Sequence, residues 1–422
     1  MNFKITPSKL KGKVKVPSSK SHTHRALLFA LLAEGLSTIH NYLDSPDIDA
    51  MIAAIEAFGA KVKKKEESLE VFGVNGNLEP PVDIIDAKNS GIVLRFIGAL
   101  SPLTSSYTVI TGDHSIRTRR PLKPLLSALE ELGAEAKSMR GDGYAPVIIK
   151  GPLTKGKCHL DGKDSQPVSA LLVATSFREE KTVIHVKDPG EKPWIDMTLN
   201  WLDLMNLPYK NHDYEMYEIP GGGHIKAFEY NVPGDFSSLA FPVAAALVTD
   251  SEICIDNVDL TDVQGDKKLL DAFKKMGANL LMEGTTLNVK KGSPLKGATF
   301  DINDYIDSIT ILAVVGCYAS GETVITNAQI AREKECDRIT AIRAELKKMG
   351  ADIEEKEDGL IVRSSKLKGA PLHSYHDHRM VMSLCVAALG AEGASTIQDI
   401  ECVAKTYPNF KQHMVSLGAN IE

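Results

Sequence analysis

"IEAFGAKV" (Ile55 to Val62) runs from an apolar helical pattern through a Phe-Gly-Ala step into a strand-like stretch, and it decides the fold because it returns. It comes back as "LEELGAEA" around Gly133, "FKKMGANL" around Gly277, "LKKMGADI" around Gly350 and "MVSLGANI" around Gly418, while "LDLMNLPY" carries Asn206 in the glycine's place. Glycine or asparagine just past a helix supplies a left-handed cap, so one instance is ordinary punctuation. Here the six positions are separated by 74, 73, 71, 73 and 68 residues. That regularity predicts six units of near-equal length, three plus three.

Strand-like runs such as "YTVITGD", "APVIIKG", "KTVIHVKD", "SEICIDNV", "ETVITNA" and "GLIVRSS" flank these helices. Each unit therefore mixes strand and helix, and the chain reads as α/β (α+β). The halves divide near "VPGDFSS", Val232 to Ser238, and the chain crosses a second time at "VPSSKS". The expected lobes are residues 19–234 and residues 1–18 with 235–422, the first strand belonging to the C-terminal lobe.

A length of 422 residues at 43% hydrophobic composition allows two domains, each with its own core. The net charge of −6 excludes bulk attraction to nucleic acid, so any basic site is local. Six cysteines are scattered singly, with no C-x-x-C pair, which points to a reducing cytoplasm. The start has no apolar leader and no stretch of 18 apolar residues occurs, so a soluble, cytoplasmic protein is expected.

The main chemical clue is where the cations fall. In "KVPSSKSHTHRALL", Lys20, His22, His24 and Arg25 open an apolar helix, the end that already carries positive dipole charge. In "HDHRMVM" Arg379 does the same, and in "AREKECDRI" Lys334 and Arg338 are expected four apart on one early helical face. "GDHSIRTRRPLKPLL" brings Arg117, Arg119 and Arg120 ahead of Pro121, a plausible first helical residue. Unpaired N–H groups plus lysine or arginine make such ends sites for phosphate or carboxylate. For each stretch alone a solvated cation is the simpler reading, with Ser21 as a plain cap. Several together favour anion binding. "KNSGIVLRF" adds Gly91, where a ligand can approach the backbone, and "AKTYP" adds Lys405.

Among the acids, Glu335 lies between Lys334 and Arg338, and Asp307 precedes the apolar run "SITILAVVG", where a helix cap is the ordinary role. Asp337 is expected to pair with Arg338 or the backbone. Metal binding is a poor reading of "HDHR", since no second ligand cluster stands near it in sequence. No G-x-x-x-x-G-K-[ST], strand-linked G-x-G-x-x-G or G-x-S-x-G occurs.

In order along the chain, "VPSSKSHTHRALL", "NSGIVLRF", "RRP", "DSQPVSALL", "KPWIDMTL", "VPGDFSSLAF", "QGD", "EKECDRI", "DHRM" and "AKTYP" resemble the 5-enolpyruvylshikimate-3-phosphate synthase family over essentially the whole length. The resemblance implies a two-lobed inverse α/β barrel, each lobe three βαβαββ units, with helix N-termini aimed at the cleft between lobes. It implies transfer of the carboxyvinyl group of phosphoenolpyruvate to the 5-hydroxyl of shikimate 3-phosphate through a tetrahedral intermediate, with loss of phosphate. By the same resemblance Asp307 is the base, Glu335 the acid at the methylene carbon, and Lys20 a lysine contacting both substrates. Arg120, Arg338, Arg379 and Lys405 match the phosphoenolpyruvate-binding cations, with Gly91 giving backbone approach and Gln166 nearby. Lys20, Ser21, Arg25, Ser165 and Lys334 match positions that hold shikimate 3-phosphate. No cofactor or metal is implied, the partners are the two small-molecule substrates, with no nucleic acid or membrane, and a monomer is expected.

The chain departs from the family where a Ser-Ser-Gln run and a later serine before Lys-Pro-Tyr bind the acceptor's phosphate. Here Asp164, Ser165 and Gln166 form the run, and Glu191 precedes Lys192, Pro193 and Trp194. Two acids would repel a phosphate unless Lys163, Lys192 or another cation turns inward. Ile92, Phe96 and Ile330 also replace the usual threonine, proline and asparagine. Two alternatives remain at this point. One is the sister UDP-N-acetylglucosamine enolpyruvyl transferases, which commonly carry a loop cysteine where Ser115 stands. The other is a non-catalytic anion-binding homologue.

Overall fold

Each repeated Gly-Ala step ends a helix with a residue in the left-handed region. The φ angles are 99° at Gly59, 98° at Gly133, 104° at Gly277, 89° at Gly350 and 98° at Gly418, with Asn206 at 55°. A side chain on a β-carbon is disfavoured there, which is why glycine recurs and asparagine is its one substitute. The period read from the sequence is thus the period of the fold.

The computed structural model describes residues 1–292 and 294–422. Among them are six four-stranded sheets of one design: a parallel edge pair followed by two antiparallel pairings. In the sheet Lys157–Asp161, Thr182–Lys187, Met216–Ile219, Lys210–His212, for example, His159 pairs in parallel with His185, which pairs antiparallel with Met216. The sheets are separate, and no closed barrel forms among the described residues.

The chain divides into two compact units, Ser19–Val232 and Met1–Ser18 with Pro233–Glu422. Pro233 and Gly234 fall with the second, where Gly234 bridges Ser18. The N-terminal segment gives this unit two strands rather than one. Asn2–Thr6 lies between Ser395–Gln398 and Asn420–Ile421, and Lys11–Lys15 edges the sheet containing Glu252–Asp256.

Six apolar helices occupy the interiors, three per unit: α1 (Lys20–Leu32), α2 (Gly91–Leu100), α3 (Ser165–Ser176), α4 (Phe236–Val248), α5 (Ile309–Tyr318) and α6 (His378–Leu389). All ten residues of α2 and all twelve of α6 are buried, so these are core helices rather than amphipathic ones. The strands around them alternate, as in Lys157–Asp161, where Cys158 and Leu160 are buried and their neighbours exposed. Among the described residues no helix is long and apolar enough to cross a membrane.

Several helix starts differ from expectation. The cap of α1 is Ser19, whose Oγ accepts from His22 N–H, and Ser21 lies within the first turn. Asp307 caps nothing: it sits in a tight turn, Asn303–Ser308, ahead of α5. Pro121 precedes its helix, Lys123–Glu131, where Pro124 takes the early position. The helix after Glu335 begins only at Arg338, so Lys334 and Arg338 do not share a helical face. Asp337 caps that helix through Thr340 N–H and pairs with Arg332, not Arg338.

Candidate active site

The residues flagged in the second unit converge at the starts of α4, α5 and α6. Arg338 is 1% exposed and holds three acids: Nη1 reaches Asp307 Oδ1 at 2.6 Å, Nη2 reaches Glu335 Oε2 at 2.8 Å and Nε reaches Asp377 Oδ2 at 2.8 Å. Arg379 Nη2 takes the other Asp307 oxygen at 2.8 Å and donates to Ser237 Oγ at 3.0 Å. Lys405 Nζ takes the other Glu335 oxygen at 2.6 Å. Asp307, Glu335, Arg338, Arg379 and Lys405, spread over about a hundred residues of sequence, are one bonded cluster.

Electrostatics follow from that bonding. Burial alone would raise the Asp307 carboxyl, but Arg379, Arg338 and then Lys334 outweigh it and hold it well below the usual carboxylate range. Burial likewise opposes charge on Arg338, yet Asp377, Glu335 and Asp307 together raise it well above its ordinary value. Asp307 and Arg338 are therefore each held in the charged form by the opposite charges bonded to them.

In the first unit, α1, α2 and α3 bring their starts together. Arg25, buried in α1, donates from Nε and Nη2 to Thr198 Oγ1 at 3.0 and 2.8 Å, from Nη2 to the Trp194 carbonyl at 3.1 Å and from Nη1 to the Ser21 carbonyl at 3.2 Å. Each acceptor is neutral, and burial pushes the guanidinium down to about 9. The unusual Phe96 of α2 puts its ring 5.5 Å under Arg25. Lys20 pairs with the buried Asp47 at 3.5 Å, which also bonds His24 at 3.0 Å. Burial nonetheless holds His24 below its ordinary value.

Gly91 has a role that was not expected. A β-carbon there would lie 2.3 Å from Arg120 Nη1 and 3.0 Å from Arg95 Nη1, so the glycine makes room for two guanidinium groups. Of the arginines ahead of Pro121, Arg120 is the buried one. The cation that answers Asp164 is neither Lys163 nor Lys192 but Arg95, 2.8 Å from Asp164 Oδ2. Lys192 instead lies over the Tyr214 ring. Gln166 donates its backbone N–H to Asp164, and its buried side-chain oxygen meets no donor among the described residues.

Asp377, Asp47 and Arg95 were missed. Asp377 stood in plain view in "HDHR", but its bond to Arg338 crosses 39 residues and leaves no local trace. The structure also corrects the view that no ligand cluster stands near this motif, since Glu335, Asp377 and His378 offer atoms within 4.8 Å of one another. The two carboxylates already carry the Arg338 guanidinium and the Lys405 ammonium, which fill the places a metal cation would take.

Buried cations thus gather at or near the starts of core helices in two similarly built units, the arrangement of a two-unit α/β enzyme class. The model of the family EPSP synthase (3-phosphoshikimate 1-carboxyvinyltransferase) matches residues 5–414, and the chain belongs to that family. It is 44% identical over 421 residues to the 3-phosphoshikimate 1-carboxyvinyltransferase of Acetivibrio thermocellus, covering 100% of this chain and 99% of that protein. With the Methanocaldococcus jannaschii enzyme of the same name the identity is 41% over 419 residues, covering 98% and 97%. Among solved structures, EPSP synthase from Acinetobacter baumannii superposes with a TM-score of 0.82 at 28% identity, covering 100% of this chain and 99% of that one.

Proposed function

We propose that Asp307, Glu335 and Lys20 carry the reaction of this family in this chain. The chain is a carboxyvinyltransferase of the shikimate pathway, moving the enolpyruvyl group of phosphoenolpyruvate to shikimate 3-phosphate; neither the sugar-nucleotide reading nor the non-catalytic one is favoured. The supporting observation for the residue roles is the single bonded cluster of Asp307, Glu335, Arg338, Arg379 and Lys405.

In the free protein Asp307 is a poor base, because Arg338 and Arg379 each hold one of its oxygens. Phosphoenolpyruvate brings a carboxylate and a phosphate for those same arginines and for Arg120 and Lys405. As they turn to the donor, Asp307 loses its partners, its carboxyl rises and it can accept the proton of the acceptor's 5-hydroxyl. Glu335, relieved of Arg338 and Lys405 in the same way, takes a proton and delivers it to the methylene carbon. The oxygen then bonds to the central carbon of the donor, giving the tetrahedral intermediate. In the second half Glu335, a carboxylate again, takes back a methyl proton, the double bond re-forms and phosphate leaves, with Lys20 assisting proton transfer. Arg25, Ser21, Ser165 and Lys334 hold shikimate 3-phosphate, with Gln166 beside it. The protein acts as a monomer in the cytoplasm, which sedimentation of the purified chain tests for oligomeric state.

The deciding experiment is phosphate release from phosphoenolpyruvate with shikimate 3-phosphate or UDP-N-acetylglucosamine as acceptor, run beside Glu335→Gln. Release only with shikimate 3-phosphate, reduced by about 10² to 10⁴ in the variant, is the expected result. Unchanged turnover in the variant would remove Glu335 from the acid's role.

A further inference from the structure

The start of α3 already holds an anion, and it comes from the protein. Glu191, 2% exposed, precedes the helix Lys192–Leu204 yet makes no side-chain cap bond to it. Its Oε2 turns instead to α3, accepting the Ser165 backbone N–H and the Ser165 hydroxyl, each at 3.0 Å. Its backbone is left-handed, at φ 46°, as is Asp188 three residues before at φ 51°, so a short strained loop aims this carboxylate. Three residues on, Trp194 gives its carbonyl to Arg25, the buried cation whose partners are all neutral. A helix start with two convergent donors is thus filled by a carboxylate, and one helical turn along the chain from that carboxylate Trp194 bonds a buried cation whose hydrogen-bond partners among the described residues include no acid.

We propose that Glu191 is a specificity-determining residue, a built-in anion that occupies the Ser165 seat in the free protein and is displaced by the acceptor's phosphate. This rests on the reading above that Ser165 and Arg25 hold that phosphate. A phosphate dianion offers three oxygens and more charge than one carboxylate, and it supplies Arg25 with a counter-ion. A simple anion without further contacts has nothing to offset the displacement, so Glu191 makes the seat selective for a phosphate attached to the right acceptor.

The test follows phosphoenolpyruvate consumption in the wild type, Glu191→Gln and Glu191→Ala, with inorganic sulfate as a competing dianion. The glutamine keeps the size and one acceptor oxygen for Ser165 while removing the charge. In both variants the acceptor KM is expected to fall by about tenfold, with kcat within about threefold, and sulfate to become a competitor of the acceptor about tenfold more potent than against the wild type. An acceptor KM unchanged or raised in both variants overturns the proposal. Should the wild type not use shikimate 3-phosphate, the functional reading fails, but calorimetric titration with sulfate still decides the seat. Tighter sulfate binding by Glu191→Ala supports displacement, and equal affinity refutes it.

Discussion

Arg338 and Arg25 are both fully buried arginines at helix starts, and they are held in opposite ways. Arg338 is locked to Asp307, Glu335 and Asp377, whereas among the described residues Arg25 hydrogen-bonds a hydroxyl and two carbonyls. Burial depresses Arg25 to about 9, while carboxylates hold Arg338 well above its ordinary value. The difference separates two tasks. A cation with internal counter-ions is part of the protein's own charge balance and releases acids when a ligand takes it over. A cation without them is incomplete until a ligand arrives.

The contrast is easiest to break through stability. Arg338→Met takes the shared cation from buried Asp377 and Glu335 and from the partly exposed Asp307, and is expected to destabilise folding by about 3 to 5 kcal/mol, read as a shift in the urea midpoint, with loss of turnover. Arg25→Met should stay within about 1 kcal/mol of the wild type, because no acid is abandoned and Thr198 Oγ1 already bonds the Trp194 carbonyl. Its effect falls on the acceptor, whose KM should rise by about a hundredfold, the loss of one buried charge-assisted contact. Equal destabilisation by the two variants would erase the distinction drawn here.

A smaller effect sharpens it. Gly91→Ala places a methyl group against Arg120 Nη1, the mobile end of a side chain, so the fold survives and the guanidinium shifts. The phosphoenolpyruvate KM should rise by about tenfold with the melting temperature nearly unchanged, a shift of ~1.4 kcal/mol. Smallest is the pH dependence. Burial pushes Arg25 down to about 9, so acceptor affinity is expected to fall as pH rises through that value. A flat acceptor KM up to pH values well above 9 would mean that Arg25 stays charged without a partner.

How much of this was legible depended on whether a signal is local. The Gly-Ala steps are local: φ > 0 after a helix restricts the residue type, so Gly59, Gly133 and the others mark the repeat in the sequence. Basic helix starts are local too, and they led to Lys20, Arg338 and Arg379. The acids were harder. Asp307 has the sequence surroundings of a cap and is not one, because the tight turn before α5 turns its carboxylate to Arg338 and Arg379. Asp47 follows Ser45 and Pro46 in what reads as an ordinary helix start, and nothing nearby indicates that it meets Lys20 and His24. Glu191 stood out as a misplaced acid, but its turn toward Ser165 depends on the left-handed backbone of one loop.

The strand Asn2–Thr6 carries a consequence for how the chain is made. It pairs with Ser395–Gln398 and Asn420–Ile421, so it leaves the ribosome long before either partner strand is synthesised. The unit Ser19–Val232 is continuous and has all its strands once residue 232 has emerged. Vectorial synthesis therefore lets this unit fold first, while Asn2–Thr6 and Lys11–Lys15 wait unpaired for two sheets not yet translated.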